Sequence, residues 1–132
     1  MVHCRGHPCV LENPCCSLLW WAPPLKPLLS IAQSINTDYC QHGTPWRKRT
    51  RFSMWNCACA EHLSLLCSSR GGICSRTGKP HVKLEGWDKV RKVRRTKLAE
   101  PYPKPLCKKF WDLVCASADD AAIHCRTALV GA

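Results

Sequence analysis

Proline sets the first limit on what this chain can become. Ten prolines fall among its 132 residues, with clusters at Pro23-Pro24-Pro27 and Pro101-Pro103-Pro105. Each removes a backbone donor and fixes φ, so no long regular element runs through those places. The apolar residues between them come in short runs. This alternation predicts a mostly irregular, small α chain with a short C-terminal helical hairpin and no well-defined globular core. Short apolar runs bury too little to offset about 1–2 kcal/mol of backbone entropy per ordered residue. The length suits one ordinary domain and not two.

Periodicity refines this picture in four places. Residues 1–16 follow neither a period of two nor of 3.6 and read as irregular. Leu28, Ile31, Ala32 and Ile35 recur at i, i+3, i+4 and i+7, which predicts a short helix over Pro27–Asn36 opening on proline. Ala58–Cys67 carries Leu63, Leu66 and Cys67 on one helical face. Over Val82–Glu100 a helical face of Leu84, Trp87, Val90 and Leu98 is blurred by Arg91 and Arg94, so that helix would be marginal alone and ordered by an anion. After Pro105, Leu106, Phe110, Leu113 and Val114 form an apolar stripe opposite Lys108, Lys109 and Asp112. Ser117 or Asp119 then suits the cap of a second helix ending near Gly131, which gives the hairpin over 105–130.

Charge divides the chain. Twenty Lys and Arg face nine Asp and Glu, a net +11. Residues 1–46 are neutral, with Arg5 and Lys26 against Glu12 and Asp38, and are rich in Cys, Pro and Trp. Residues 47–104 form a basic segment expected to be flexible. It holds two clusters: Arg47, Lys48, Arg49 and Arg51, then Lys89, Arg91, Lys92, Arg94, Arg95 and Lys97 with the single acid Asp88 among them. Residues 105–130 complete the division. Such clusters attract polyanions. Arg and Lys neutralise phosphates, and the interleaved Trp46, Phe52, Trp55 and Trp87 would stack on unpaired bases. RNA or single-stranded DNA, bound without sequence preference, fits better than a duplex, because no groove-reading motif is present. Short K/R-rich runs equally have the form of a nuclear import signal, and otherwise that of a solvated charge run.

Twelve cysteines make a secreted, disulfide-rich protein the first alternative. Export signals are wanting. The apolar run Leu18-Leu19-Trp20-Trp21-Ala22 is stopped by Pro23-Pro24, short of the roughly 7–15 residues of a signal core. Asn13, Asn36 and Asn56 all miss the glycosylation pattern. No stretch approaches the roughly 20 apolar residues of a membrane span. The expectation is a reduced chain of the nucleus or cytoplasm. High Cys, Trp, Arg, His and Pro with few acids is also what codon chance produces, so a lineage-restricted or non-functional open reading frame product is a further reading of the composition.

The second alternative is a small zinc-binding protein. No Cys-x2-Cys pair exists, which removes the strongest zinc signature. What remains is His3, Cys4, His7 and Cys9, and the closer candidate set Cys57, Cys59, His62 and Cys67, which ends on a knuckle-like His-x4-Cys spacing. Free thiols scattered by chance explain both sets equally, and the expectation is no cofactor. Gly72 to Lys79 does not make a phosphate loop: five residues separate the glycines where four are needed, and Pro80 takes the place of the metal-binding hydroxyl. No cysteine is followed six residues on by arginine, and Asp119-Asp120 are adjacent and diverge rather than pair. No small-molecule substrate site is evident, and the chain is expected not to be an enzyme.

Overall fold

A computed structural model describes residues 7–57 and 60–130, with the backbone alone over 118–130. Among these residues are five strands and two α-helices: β1 (Cys9–Pro14), α1 (Lys26–Leu29), β2 (Gln33–Asp38), β3 (Arg49–Trp55), β4 (Trp87–Asp88), β5 (Val93–Arg94) and α2 (Lys104–Val130). Short 3-10 turns fill the intervals. This is a small mixed α/β fold with two antiparallel sheets, so the expectation of a mostly irregular, small α chain without a core is overturned.

The first sheet is antiparallel in the order β1-β3-β2. β3 is central because its sequence alternates: Thr50, Phe52 and Met54 turn inward between Arg49, Arg51 and Ser53. Phe52 lies opposite Glu12 on one side and Ile35 on the other. β1 stands at an edge, and it ends on Pro14, where the missing donor costs least. Ser34 and Ser53 join their hydroxyls across the β2–β3 ladder at 2.8 Å.

Three expected helices give way to this pairing. The helix expected over Pro27–Asn36 stops after Leu29, where Ser30 Oγ bonds back to the Pro27 carbonyl. The chain then straightens into β2, whose ladder satisfies backbone groups that a helix of ten residues would hold only marginally. Within the described residues 60–67 only the turn Ala60–Leu63 coils. Beyond it, Leu65 exchanges backbone and side-chain bonds with Thr37 and Asp38 of β2, and so stays extended. Residues 82–100 form the β4–β5 hairpin and a 3-10 turn, Arg95–Ala99, instead of a helix.

The C-terminal hairpin is also corrected. α2 is one helix of 27 residues from Lys104 to Val130. Ser117 does not cap a second helix; its hydroxyl donates to the Leu113 carbonyl one turn back, inside a continuous helix. Nothing between Leu106 and Val130 breaks the run, which holds neither proline nor glycine. The expected second helix rested further on the Asp119 side chain and on Gly131, both outside the described residues.

Leu106, Phe110 and Leu113 of α2 lie against the inner face of the sheet. With Ile35, Tyr39, Phe52, Met54, Ala60 and Leu63 they form an apolar interior, and the rings of Phe52 and Phe110 meet at 4.6 Å with a 56° tilt. Full burial of each large side chain there contributes about 1.5–3 kcal/mol. Among the described residues, no helix is long and apolar enough to cross a membrane.

Candidate metal centre

β2 ends at Asp38, and the next four residues, Tyr39–His42, turn tightly before Gly43, whose φ of +102° closes the turn. Tyr39 points into the apolar interior, while Cys40 points away from it and is wholly buried in a second, smaller cluster with Cys67 and Cys74. Asp38 sets this up. Its buried carboxylate accepts the Cys67 backbone N–H at 2.8 Å, which pins the extended segment after Leu63 beside the turn that carries Cys40.

The remaining ligands come from one folded-back segment. Gly71 and Gly72 take positive φ and turn the chain after Arg70. Ile73 then bridges Pro80, and the Cys74 N–H reaches the Lys79 carbonyl, so Cys74 lies at the start of a closed loop with His81 just beyond its end. The Arg76 guanidinium donates to the Cys40 carbonyl and ties this loop to the first turn.

The result is a cluster of three cysteines and one histidine. The Sγ atoms of Cys40, Cys67 and Cys74 and a ring nitrogen of His81 all lie within 4.8 Å of one another. Cys67 Sγ and His81 Nε2 are 3.6 Å apart. A tetrahedral zinc with Zn–S near 2.3 Å and Zn–N near 2.0–2.1 Å separates sulfur from nitrogen by about 3.5 Å and two sulfurs by about 3.8 Å. One edge therefore already has zinc-site length, and the others close by movements of less than about 1 Å. The tautomer is set as well: His81 Nδ1 lies 3.0 Å from the Gly72 carbonyl, which can only accept. Nδ1 therefore carries the proton, and the Nε2 lone pair faces the sulfurs. This is the outer-shell arrangement that orients ligating histidines.

Electrostatics differ among the three thiols. Burial pushes Cys40 up to about 12. Burial acts in the same direction on Cys67, but the hydroxyl and N–H of Ser75, the N–H of Ser69 and the Cys40 thiol outweigh it and bring Cys67 down to about 6. Ser75 N and Oγ stand 3.3 and 3.4 Å from that sulfur. At Cys74, burial is again opposed and outweighed, here by the N–H groups of Arg76 and Thr77, so its thiol is lowered too. The turns around the cluster thus aim donors at sulfur, as a site for thiolates requires. Three soft sulfurs and one imidazole suit zinc, and four protein ligands leave no open position for substrate.

Of the described members of the zinc set expected from spacing, Cys67 alone enters this cluster. Cys57 donates to the Trp55 carbonyl, His62 is exposed on the Ala60–Leu63 turn, and Cys59 lies outside the described residues. From the other set, His3 and Cys4 are also outside them.

The two basic clusters have separate fates. Arg49 forks onto Asp38 at 3.0 and 2.8 Å, and Arg47 reaches the same carboxylate at 3.3 Å. These charges, with the Cys67 N–H, hold Asp38 below the usual carboxylate range although burial opposes them. Lys48 pairs with Glu12 at 3.7 Å and lies over the Tyr39 ring, and Arg51 lies over the Trp20 ring at 5.0 Å. All four bases of Arg47–Arg51 therefore have partners inside the fold. Phe52 and Trp55 are buried and Trp46 is half-buried, which leaves Trp87 as the open ring among the four proposed for stacking. In the second cluster Arg91 pairs with Asp88 at 3.6 Å. Among the described residues no acid forms a salt bridge with Lys89, Lys92, Arg94, Arg95 or Lys97, although Arg95 stands close enough to Asp88 for its charge to act on that carboxylate. Comparison of the chain with protein-family models, with curated proteins and with solved structures returns no match.

Proposed function

We propose that this chain is a small zinc-binding module in which Cys40, Cys67, Cys74 and His81 hold one structural Zn²⁺. The observation that carries the reading is the convergence of these four ligand atoms within 4.8 Å, drawn from a turn after β2 and from a separate segment. The metal's task is mechanical: it fastens the Cys67–His81 segment, poor in apolar contacts of its own, onto the end of the sheet. The His81 tautomer and the N–H donors at Cys67 and Cys74 support the same reading. A closed four-ligand site implies binding and stability, not hydrolysis.

The test is metal content. Chain purified under reducing conditions with zinc present should carry one Zn²⁺, and Co²⁺ in its place should show the absorption of a tetrahedral site with three thiolates and one imidazole. Cys74→Ser and His81→Ala should abolish stoichiometric uptake, while Cys57→Ser and His62→Ala leave it unchanged. No bound zinc in the folded chain, or equal losses in both pairs of variants, would remove the reading. The disulfide-rich alternative is separated by the same material: thiol titration after chelation should find Cys40, Cys67 and Cys74 reduced, whereas a secreted chain would hold two of them as a disulfide.

A further inference from the structure

The chain leaves the metal centre at His81 and returns to the main body at Ala99, which is buried, and at Tyr102, whose hydroxyl donates to Glu12 at 3.0 Å. Between these anchors stands the β4–β5 hairpin. Trp87 is paired opposite Arg94, and Asp88 opposite Val93. The Asp88 carboxylate accepts the N–H groups of Val90 and Arg91, which shapes the tip, and Lys92 takes φ of +53° to complete it. Arg95 N–H donates to the Gly86 carbonyl and closes the base. The only acid of the ribbon is therefore used in building it.

What remains on the surface is an indole among cations. Trp87 is 56% exposed and lines, with Leu84, Glu85, Gly86, Arg94 and Thr96, an open cleft of 430 Å³. Arg94 is the one cation lining the cleft; on the same hairpin and the turn after it Lys89, Lys92 and Lys97 are exposed and Arg95 is half-buried. We infer that this hairpin binds single-stranded nucleic acid, with one base stacked on Trp87 beside Arg94 and the neighbouring phosphates on Lys89, Lys92, Arg95 and Lys97. Glu85 in the cleft repels phosphate and accepts from amino groups on a base edge, so the cleft takes the base and the flanks take the backbone. Strands of two residues are too short to follow a duplex groove. An anionic membrane matches the charge but not the apolar pattern. Val90, 93% exposed, is a lone apolar side chain at the tip, while Trp87 lies at the base beside Glu85, and insertion needs a continuous apolar face.

The test is a salt series on the full chain with a short labelled single strand of mixed sequence. Four cations placed on phosphates imply a slope of log K against log salt of about −2.8, at about −0.7 per phosphate. Replacing Lys89, Lys92 and Lys97 by Gln should flatten the slope by about 2. Trp87→Ala should weaken binding about tenfold at every salt concentration and leave the slope alone, while Trp87→Phe retains most of the affinity. Because these side chains are exposed, the variants should keep the fold of the parent, which circular dichroism checks. Four results would overturn the inference: no binding near about 150 mM salt; a duplex bound as tightly as the single strand; Trp87→Ala without effect; or vesicles with about a third anionic lipid taking up the chain and displacing the oligonucleotide.

Discussion

Tyr39 and Cys40 are adjacent in the chain and belong to different interiors. Tyr39 joins Ile35, Phe52, Met54, Leu63 and Leu106, where area removed from water is the main stabilising force. Cys40 joins Cys67 and Cys74, small side chains with little area to bury, held by hydrogen bonds onto sulfur from turns that pack on little else. The first interior has large groups and three regular elements, β2, β3 and α2, to bring them together. The second has neither, which is why a metal cross-link is proposed for it. Where a fold cannot supply apolar area, it supplies ligands, and structural zinc sites contribute folding free energy directly.

The largest effect should come from removing metal. Chelation should open the Cys67–His81 segment, since zinc in such centres contributes an apparent ~10–16 kcal/mol at neutral pH. Limited trypsin digestion read by mass spectrometry should then cut after Arg70 and Arg76, while amide signals of β1, β3 and α2 persist. Loss of all amide dispersion together would mean that the two interiors are a single cooperative unit.

Next comes Phe52→Ala, which empties the space between β3 and Phe110 and should cost about 3–5 kcal/mol in denaturant unfolding. The fraction still folded should bind zinc with unchanged stoichiometry. Asp38→Asn should be smaller, about 2–3 kcal/mol, because Arg47 and Arg49 are each about a third exposed and water screens what they lose. It should be the one substitution that injures both interiors, lowering the unfolding midpoint and the zinc affinity together, since Asp38 holds Arg47, Arg49 of β3 and the Cys67 N–H at once. A change in one measurement alone would show that the carboxylate does not couple them.

The smallest effect belongs to Trp111→Ala. This ring is 69% exposed at the rim of a groove between α2 and β1, and its loss should move stability by no more than about 0.5 kcal/mol. A cost well above 1 kcal/mol would mean that the apolar interior extends outward over that groove.

Parts of this arrangement are legible in the residues and parts are not. The start of α2 is: Pro105 at a first turn and Leu106, Phe110 and Leu113 on one face describe the packing found. Its length is not, because Ser117 suits a cap as well as it suits a bond to the carbonyl one turn back. β3 carries a readable period of two through Thr50, Phe52 and Met54, but its arginines resemble a charge cluster as much as the solvent side of a strand. Ile35 fits a helical period with Leu28 and Ile31, and only the partner strand, distant in sequence, decides for β2. The candidate metal centre leaves one local signal, Cys67, Cys74 and His81 at equal intervals. It lies outside the close cysteine pairs that usually mark zinc. Cys40 has no local signal, since nothing but the sheet brings it there.

That difference in spacing has a consequence for the order in which the molecule assembles. Cys67, Cys74 and His81 recur at every seventh residue, and loops of that size close in roughly 10–100 ns. Cys40 arrives only when β2 has paired with β3 and the turn after it has formed, which is slower because the contacts are distant in sequence. A metal meeting the unfolded chain would therefore be caught first by three ligands and receive its fourth late. Refolding with Co²⁺ should show two spectral phases, the second matching the rate at which Phe52 is buried and slowed by Phe52→Ala while the first is not. On the proposed zinc reading the fourth ligand would act as a clock on the sheet: coordination would become complete only in a chain whose strands are already in register.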